Sequence, residues 1–178
     1  MMFIFLPRAA VSMGRVGEIL KKEISITDKE NTQEIKEKRG IVEFKNVSFR
    51  YADAEDAVLS DISFTAKPGE TTAFIGSTGS GKTTLVNLIP RFFDVTEGSI
   101  TIDGVDIRDM KQHDLREMIG YVPQKGMLFS GDIKSNIAYG AEDKSFENIK
   151  RAAEVAQAED FIMEKEEGFD SPVAQGGT

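Results

Sequence analysis

Residues 76–83 read GSTGSGKT, and this octapeptide stands between an apolar run, Ala73-Phe74-Ile75, and a stretch with helical spacing. No other feature limits more sharply what the chain can fold into: strand, glycine-rich loop and helix must follow one another here. The pattern is GxxxxGK[ST], and each residue type in it has a physical task. Gly76, Gly79 and Gly81 let the backbone curl so closely that successive main-chain N–H groups, with those of Ser77, Thr78 and Ser80 between them, point inward at an anion. The following helix adds its positive end. Lys82 can reach the β- and γ-phosphates of a nucleoside triphosphate, the hydroxyl of Thr83 is placed to ligate Mg2+, and Thr84 can donate to an α-phosphate oxygen. The alternative is a glycine-rich turn that only caps a helix, and the strand-loop-helix context argues against it.

The chain has 178 residues, of which 40% are hydrophobic, enough for one α/β domain with a real core and too few for two full domains. A formal net charge of −8, with no clustered lysines or arginines, argues against nucleic acid as a partner, because phosphates along a duplex need a basic face. The absence of cysteine removes disulfides, thiolate metal sites and cysteine nucleophiles together. His113 is the single histidine, so zinc-type clusters and serine-histidine triads lack material.

Along the chain, four stretches differ in pattern. Residues 1–20 begin with a continuous apolar run, Met1-Met2-Phe3-Ile4-Phe5-Leu6, interrupted by Pro7 and Arg8. That run is too short to cross a bilayer, which takes about twenty apolar residues, and it lacks the plan of a signal peptide. It reads as a truncated helix end, continued by Val11, Val16, Ile19 and Leu20, with a frayed amphipathic terminus as the alternative. Residues 21–40 mix both charge signs, as a solvated linker does.

From residue 41 to residue 130 short strands dominate. Val42 and Phe44 alternate, Asn46 breaks the phase, and Val47 and Phe49 resume it, which predicts a bulged strand. A second strand is expected at Ile62, Phe64 and Ala66, and residues 72–75 read as a parallel strand buried on both faces. Leu85, Leu88 and Ile89 carry the helix after the loop, and Asp103-Gly104 marks a hairpin. A short helix is expected around Asp114 and a further core strand at Ile119-Gly120-Tyr121-Val122. Residues 131–178 turn helical: Ile149, Ala152, Ala153 and Ala156 follow helical spacing, Phe161-Ile162 belong to another short helix, and residues 171–178 read as a loop leading onward.

Taken together, these blocks resemble the nucleotide-binding domain of ABC transporters of the exporter type, in which membrane helices and ATPase share one polypeptide. The resemblance runs through FIFLPRAAVSMGRVGEIL, IVEFKNVSFRY, GSTGSGKTT, GSITIDGVDIRD, LREMIGYVPQ and LFSGDIKSNIAYG in family order. It implies an incomplete α/β P-loop NTPase fold with an antiparallel β subdomain and the start of a helical subdomain. Residues 1–20 would then be the end of the last transmembrane helix, residues 41–130 the nucleotide-binding core, and residues 131–178 a helical subdomain stopping before the signature motif. The same resemblance gives Tyr51 the role of stacking on adenine and Gln124 that of reaching Mg2+ from the family's Q-loop. Met127-Leu128-Phe129 would line the groove that receives a cytoplasmic helix of the transmembrane domain. It gives no switch role to His113, which precedes the place where the family carries its histidine and reads as a solvated surface residue.

What the resemblance implies functionally is an exporter that couples ATP binding and hydrolysis to transmembrane export. ATP and Mg2+ are its cofactors, Lys82 and Gln124 its catalytic residues. A second nucleotide-binding domain, identical or different, and the transmembrane domain of the same transporter are its partners. The ATP-binding part would lie on the cytoplasmic face of the cell membrane. The signature motif, the second acidic motif and the late histidine are absent from these 178 residues, so this stretch alone is expected to hydrolyse ATP negligibly. Two rival readings stay open: a soluble ABC-type ATPase without a transport role, and a degenerate half that binds nucleotide without hydrolysing it. A different P-loop class, such as a small kinase, would need lid arginines and an acceptor site that are not evident after Gly131.

Overall fold

Phe44 and Val47 lie three residues apart, so a strict period of two would send them to opposite faces of a strand. Both are buried. The computed structural model, which describes residues 2–177 and their side chains from residue 10 onward, shows how. Strand β1 (Val42–Phe49) carries Asn46 in the left-handed region at φ 49°, and its pairing slips between Phe44 and Val47 on one side and between Lys45 and Ser48 on the other. The extra residue returns Val47 and Phe49 to the core face. Asn46 suits the position because its short amide bonds locally: Nδ2 donates to Asp61 Oδ1 at 2.7 Å, and its backbone N–H donates to Ser63 Oγ at 2.8 Å.

Strands β2 (Leu59–Ala66), β3 (Glu97–Ile102) and β4 (Val105–Asp106) complete an antiparallel sheet in the order β2-β1-β3-β4. Asp103 and Gly104, at φ 50° and 84°, form the two-residue hairpin turn between β3 and β4. The Asp103 carboxylate also accepts the backbone N–H groups of Arg39, Gly40 and Ile41 at 2.9–3.0 Å, fixing the chain where it enters β1.

Helix α2 (Lys82–Leu88) lays Leu85 and Leu88 into one core with Phe44, Val47, Phe49, Leu59, Ile100 and Ile102, and Leu115 of the short helix α3 (Gln112–Glu117) joins them. Residues 21–40 form neither helix nor strand, yet they are not simply solvated. Ile35 packs against this core, Gln33 N–H donates to the Asp109 carbonyl at 2.7 Å, and Asp28 accepts from both the backbone and side chain of Gln112. The α1 helix (Met2–Leu20) has the helical form expected; Met1 and the side chains of the apolar run before Ala10 lie outside the described residues. Among the described residues no helix is long and apolar enough to cross a membrane.

Two expectations are corrected. Residues 72–75 and 119–122 belong to no sheet among the described residues, and Ile75 and Val122 are 96% and 92% exposed. Apolar runs report an affinity for burial between strands, but a strand exists only where a neighbour meets its N–H and C=O groups. Neither segment is paired into a sheet among the described residues. Phe74 is nevertheless half-buried, its ring 5.1 Å from that of Phe64 in an edge-to-face contact.

The chain divides into two units at Gly120 and Tyr121. The second contains a two-stranded ribbon, β5 (Gly131–Asp132) with β6 (Pro172–Val173), and helices α4 (Ile133–Ile137), α5 (Phe146–Val155) and α6 (Glu159–Met163). Asp132 and Ser135 cap α4 reciprocally, and Ser145 caps α5. Ala138, Ile149, Ala153, Ile162 and Phe169 form its core. The expected terminal loop contributes β6 before continuing irregularly; Thr178 lies outside the described residues.

Candidate functional site

The loop of residues 76–83 joins the end of the exposed segment to α2, and its glycines take conformations that a side chain would oppose. Gly79 and Gly81 have φ 83° and 84°. A Cβ on Gly81 would stand 2.8 Å from Leu59 Cδ2 and 3.1 Å from the Val58 carbonyl oxygen, so the loop rests directly on the start of β2. Glycine here is a condition of that approach. Sequence reading missed Val58 and Leu59 as the loop's support; the only signal for them is the third glycine itself, which implies that something presses close.

A cavity of about 170 Å3 is lined by Val58, Gly79, Ser80, Gly81, Lys82, Thr83 and Thr84. The Lys82 ammonium lies within the loop's curl, donating to the carbonyl oxygens of Gly76 at 2.9 Å and Ser77 at 2.7 Å and to Ser80 Oγ at 3.2 Å. Ser77 and Thr78 are exposed on the loop, and so is Thr83 at the first turn of α2. Gly81, standing at the helix N-cap, has no side chain to accept from the first-turn N–H groups. One ammonium, several small hydroxyls, uncapped N–H groups and a backbone with no Cβ in the way are the donor set that a polyphosphate requires. The residues present fit such a group, and Thr83 offers an exposed hydroxyl of the kind a magnesium ion takes as a ligand.

Tyr51 follows β1 and is half-buried. Its ring meets Phe49 at 4.8 Å and Phe93 at 5.2 Å, both edge-to-face, and its hydroxyl lies 3.0 Å from Thr84 Oγ1. Thr84 is 7% exposed and lines the cavity. The structure therefore brings Tyr51 together with the loop helix through a bond that sequence reading did not foresee. Phe93 was missed as well, since an aromatic in the turn after α2 carries no signal of its own.

Gln124 belongs to the second unit, exposed in a segment without regular structure. Within that unit Met127, Leu128 and Phe129 are also exposed, and the Asn136 side chain holds both backbone groups of Phe129, at 2.8 and 2.9 Å. The Phe129 ring stacks on Tyr139 at 4.4 Å. His113 is solvated, its side chain 79% exposed with Nε2 3.2 Å from Glu117 Oε1.

The loop, its support and the antiparallel sheet are accompanied by a direct family match: the model described as ABC transporter matches residues 59–171. The chain belongs to the ABC transporter family. Its ATPase-domain fold, with mixed α/β content and an antiparallel sheet, is that of the family, and membership makes it a nucleotide-binding chain. Among relatives, YgaD of Bacillus subtilis (strain 168), named for a multidrug export ATP-binding/permease role, is 45% identical over 172 residues, covering 97% of this chain and 30% of that protein. YfiB of the same strain, named as an uncharacterized ABC transporter ATP-binding protein, is 43% identical over 171 residues, covering 96% of this chain and 29% of its own length. A solved structure of a bacterial Atm1-family ABC exporter with ATP bound superposes with a TM-score of 0.86 at 35% identity, covering 96% of this chain and 30% of that one. The ABC chain described here thus spans about 30% of the length of these proteins.

Proposed function

We propose that this chain is the nucleotide-gripping portion of an exporter in which ATP binding and hydrolysis drive transport across the cell membrane. One observation carries the reading: the Lys82 ammonium lies inside a glycine-lined curl, held by the carbonyls of Gly76 and Ser77. Carbonyl oxygens satisfy an ammonium only as neutral acceptors. Phosphate oxygens bring full charge and replace them at a gain, since charge-assisted hydrogen bonds are about twice as strong as neutral ones.

In this reading the N–H groups and hydroxyls of residues 76–84 orient the triphosphate, Lys82 neutralises charge developing on its outer phosphates, and Tyr51 provides aromatic surface for adenine. Thr83 would offer its hydroxyl to Mg2+, which would supply charge neutralisation when bound, and the role of Gln124 toward that ion stays one that the family resemblance implies. A second nucleotide-binding domain faces this one, the transmembrane domain of the same polypeptide receives the resulting motion, and the ATP-binding part stands on the cytoplasmic face. Export over a soluble role is supported by relatives whose names join ATP-binding to permease functions and by an exporter as the structural neighbour.

The test uses the full-length protein in inverted membrane vesicles, with a fluorescent lipophilic dye as cargo. ATP-dependent dye accumulation that disappears in Lys82→Ala at equal protein levels is the expected result. Accumulation unchanged in Lys82→Ala would overturn the reading.

A further inference from the structure

Thr84 sits in the first turn of α2, one of the helix's buried residues. Here its oxygen lies 3.0 Å from the Tyr51 hydroxyl. Two hydroxyls at this distance can share one hydrogen in either direction, and the direction has consequences. If Thr84 donates to Tyr51, its proton is used up. If Tyr51 donates to Thr84, the Thr84 hydrogen is free to point elsewhere, and Thr84 lines the cavity formed by Gly79 to Thr83. An anion in that cavity selects the second arrangement, and each bond in such a chain polarises the next.

We propose that Tyr51 acts through its hydroxyl as a positioning residue for the phosphate loop, donating to Thr84 so that Thr84 donates to a phosphate oxygen. The inference rests on the nucleotide reading and deepens it: Tyr51 serves the phosphate end of the ligand, besides any stacking on the base. Three features support a fixed relay over a chance contact. The Tyr51 ring is held from Phe49 and from Phe93 at near-perpendicular angles of 84° and 88°, so the hydroxyl has little freedom to swing away. Thr84 is almost fully buried, which holds its rotamer and keeps competing water away. The neighbouring Phe93 follows α2 in the chain while Phe49 ends β1, so the tyrosine is clamped between the strand and the loop helix it serves.

The two roles of Tyr51 separate by ligand. A ring that only stacks on a base is indifferent to a ligand without one. Titration calorimetry on the 178-residue chain with magnesium tripolyphosphate, MgATP and adenosine therefore decides the matter. Tyr51→Phe, which keeps the ring, is expected to weaken tripolyphosphate and ATP alike by about fivefold, the scale of one hydrogen bond, and to leave adenosine unchanged. Thr84→Val should lose about as much, Thr84→Ser should retain affinity within about twofold, and the double variant Tyr51→Phe with Thr84→Val should bind no worse than Thr84→Val alone.

Wild-type tripolyphosphate affinity in Tyr51→Phe, whether or not its melting temperature changes, would overturn the relay, and so would additive losses in the double variant. Should Tyr51→Phe not fold, the contrast between Thr84→Val and Thr84→Ser decides: equal affinity in both sinks the proposal. Lys82→Ala keeps the two levels of inference distinct. If the wild-type chain shows no Lys82-dependent binding of either phosphate ligand, the nucleotide reading falls and takes the relay with it. If binding is Lys82-dependent but indifferent to the Tyr51 hydroxyl, only the relay falls.

Discussion

The antiparallel sheet and the segment that carries the phosphate loop stand in the same unit and are opposites in how they are held. In the sheet, Phe44 is 2% exposed and stacked on Phe64 at 4.5 Å, with ladder partners on both β2 and β3. In the loop segment, Ile75 is 96% exposed and residues 72–75 lie in no sheet among the described residues. Both stretches carry large apolar residues. The difference is that the sheet strands pair with one another, whereas among the described residues the loop segment joins no sheet and is held by Phe74 against Phe64 and the footing of Gly81 on Val58 and Leu59. Stability is concentrated in the sheet and α2, and the loop is supported from below by their core. The glycine loop is thus carried by a scaffold in which its own helix, α2, takes part.

The sharpest way to break this comparison is to remove the sheet's centre. Phe44→Ala should cost about 3–5 kcal/mol in denaturant unfolding of the first unit, because it deletes a fully packed ring from the largest core. A cost near zero would mean that the sheet does not hold the unit.

The bulge comes next. Gly98 has φ 78°, and a Cβ there would stand 2.3 Å from the carbonyl oxygens of both Lys45 and Asn46. Gly98→Ala is expected to cost about 2–3 kcal/mol, with a lowered melting temperature as the readout.

Asp103→Ala should cost about 1–2 kcal/mol, since the N–H groups of Arg39, Gly40 and Ile41 lose their acceptor. Its pH dependence has a definite sign. Desolvation alone would raise the Asp103 pKa, but the three backbone donors and the nearby Arg39 charge hold it below the ordinary 3.8. The carboxylate therefore contributes above that value, and its contribution is lost as pH falls through the folded pKa. Wild type and Asp103→Ala should differ at neutral pH and converge on acidification; a gap that widens in acid would contradict the assignment.

The smallest effect is expected at the loop segment. Ile75→Ser should change stability by less than about 0.5 kcal/mol, as for other exposed positions. A loss comparable to that of Phe44→Ala would erase the contrast between the two regions.

What could be read from sequence follows the same division. The phase break at Asn46, the Asp103-Gly104 hairpin, the buried face of α2 and the helix α5 were legible because each depends on residues close in sequence: a local φ preference, a two-residue turn, a helical period. Of the residues at the spacing that marked α5, Ile149 and Ala153 are buried while Ala152 and Ala156 are exposed. The loop was legible because its residue types and spacing lie within eight consecutive positions. Residues 72–75 and 119–122 were misread as paired strands because an apolar run states a need and not its fulfilment. The Tyr51 to Thr84 bond and the support from Val58 and Leu59 were illegible for a related reason, since 33 positions separate Tyr51 from Thr84 and only the folded sheet brings them together. Residues 21–40 resembled a solvated linker by composition, yet Ile35, Gln33 and Asp28 tie them down through contacts that composition does not encode.

The central claim, that the curl around Lys82 grips a triphosphate, is tested most directly by titrating MgATP into the 178-residue chain and its Lys82→Ala variant. Saturable binding by the wild type, weakened at least about tenfold in a Lys82→Ala variant of unchanged circular dichroism, is the result expected for a lost charge-assisted contact. Equal affinity in the two proteins would contradict it.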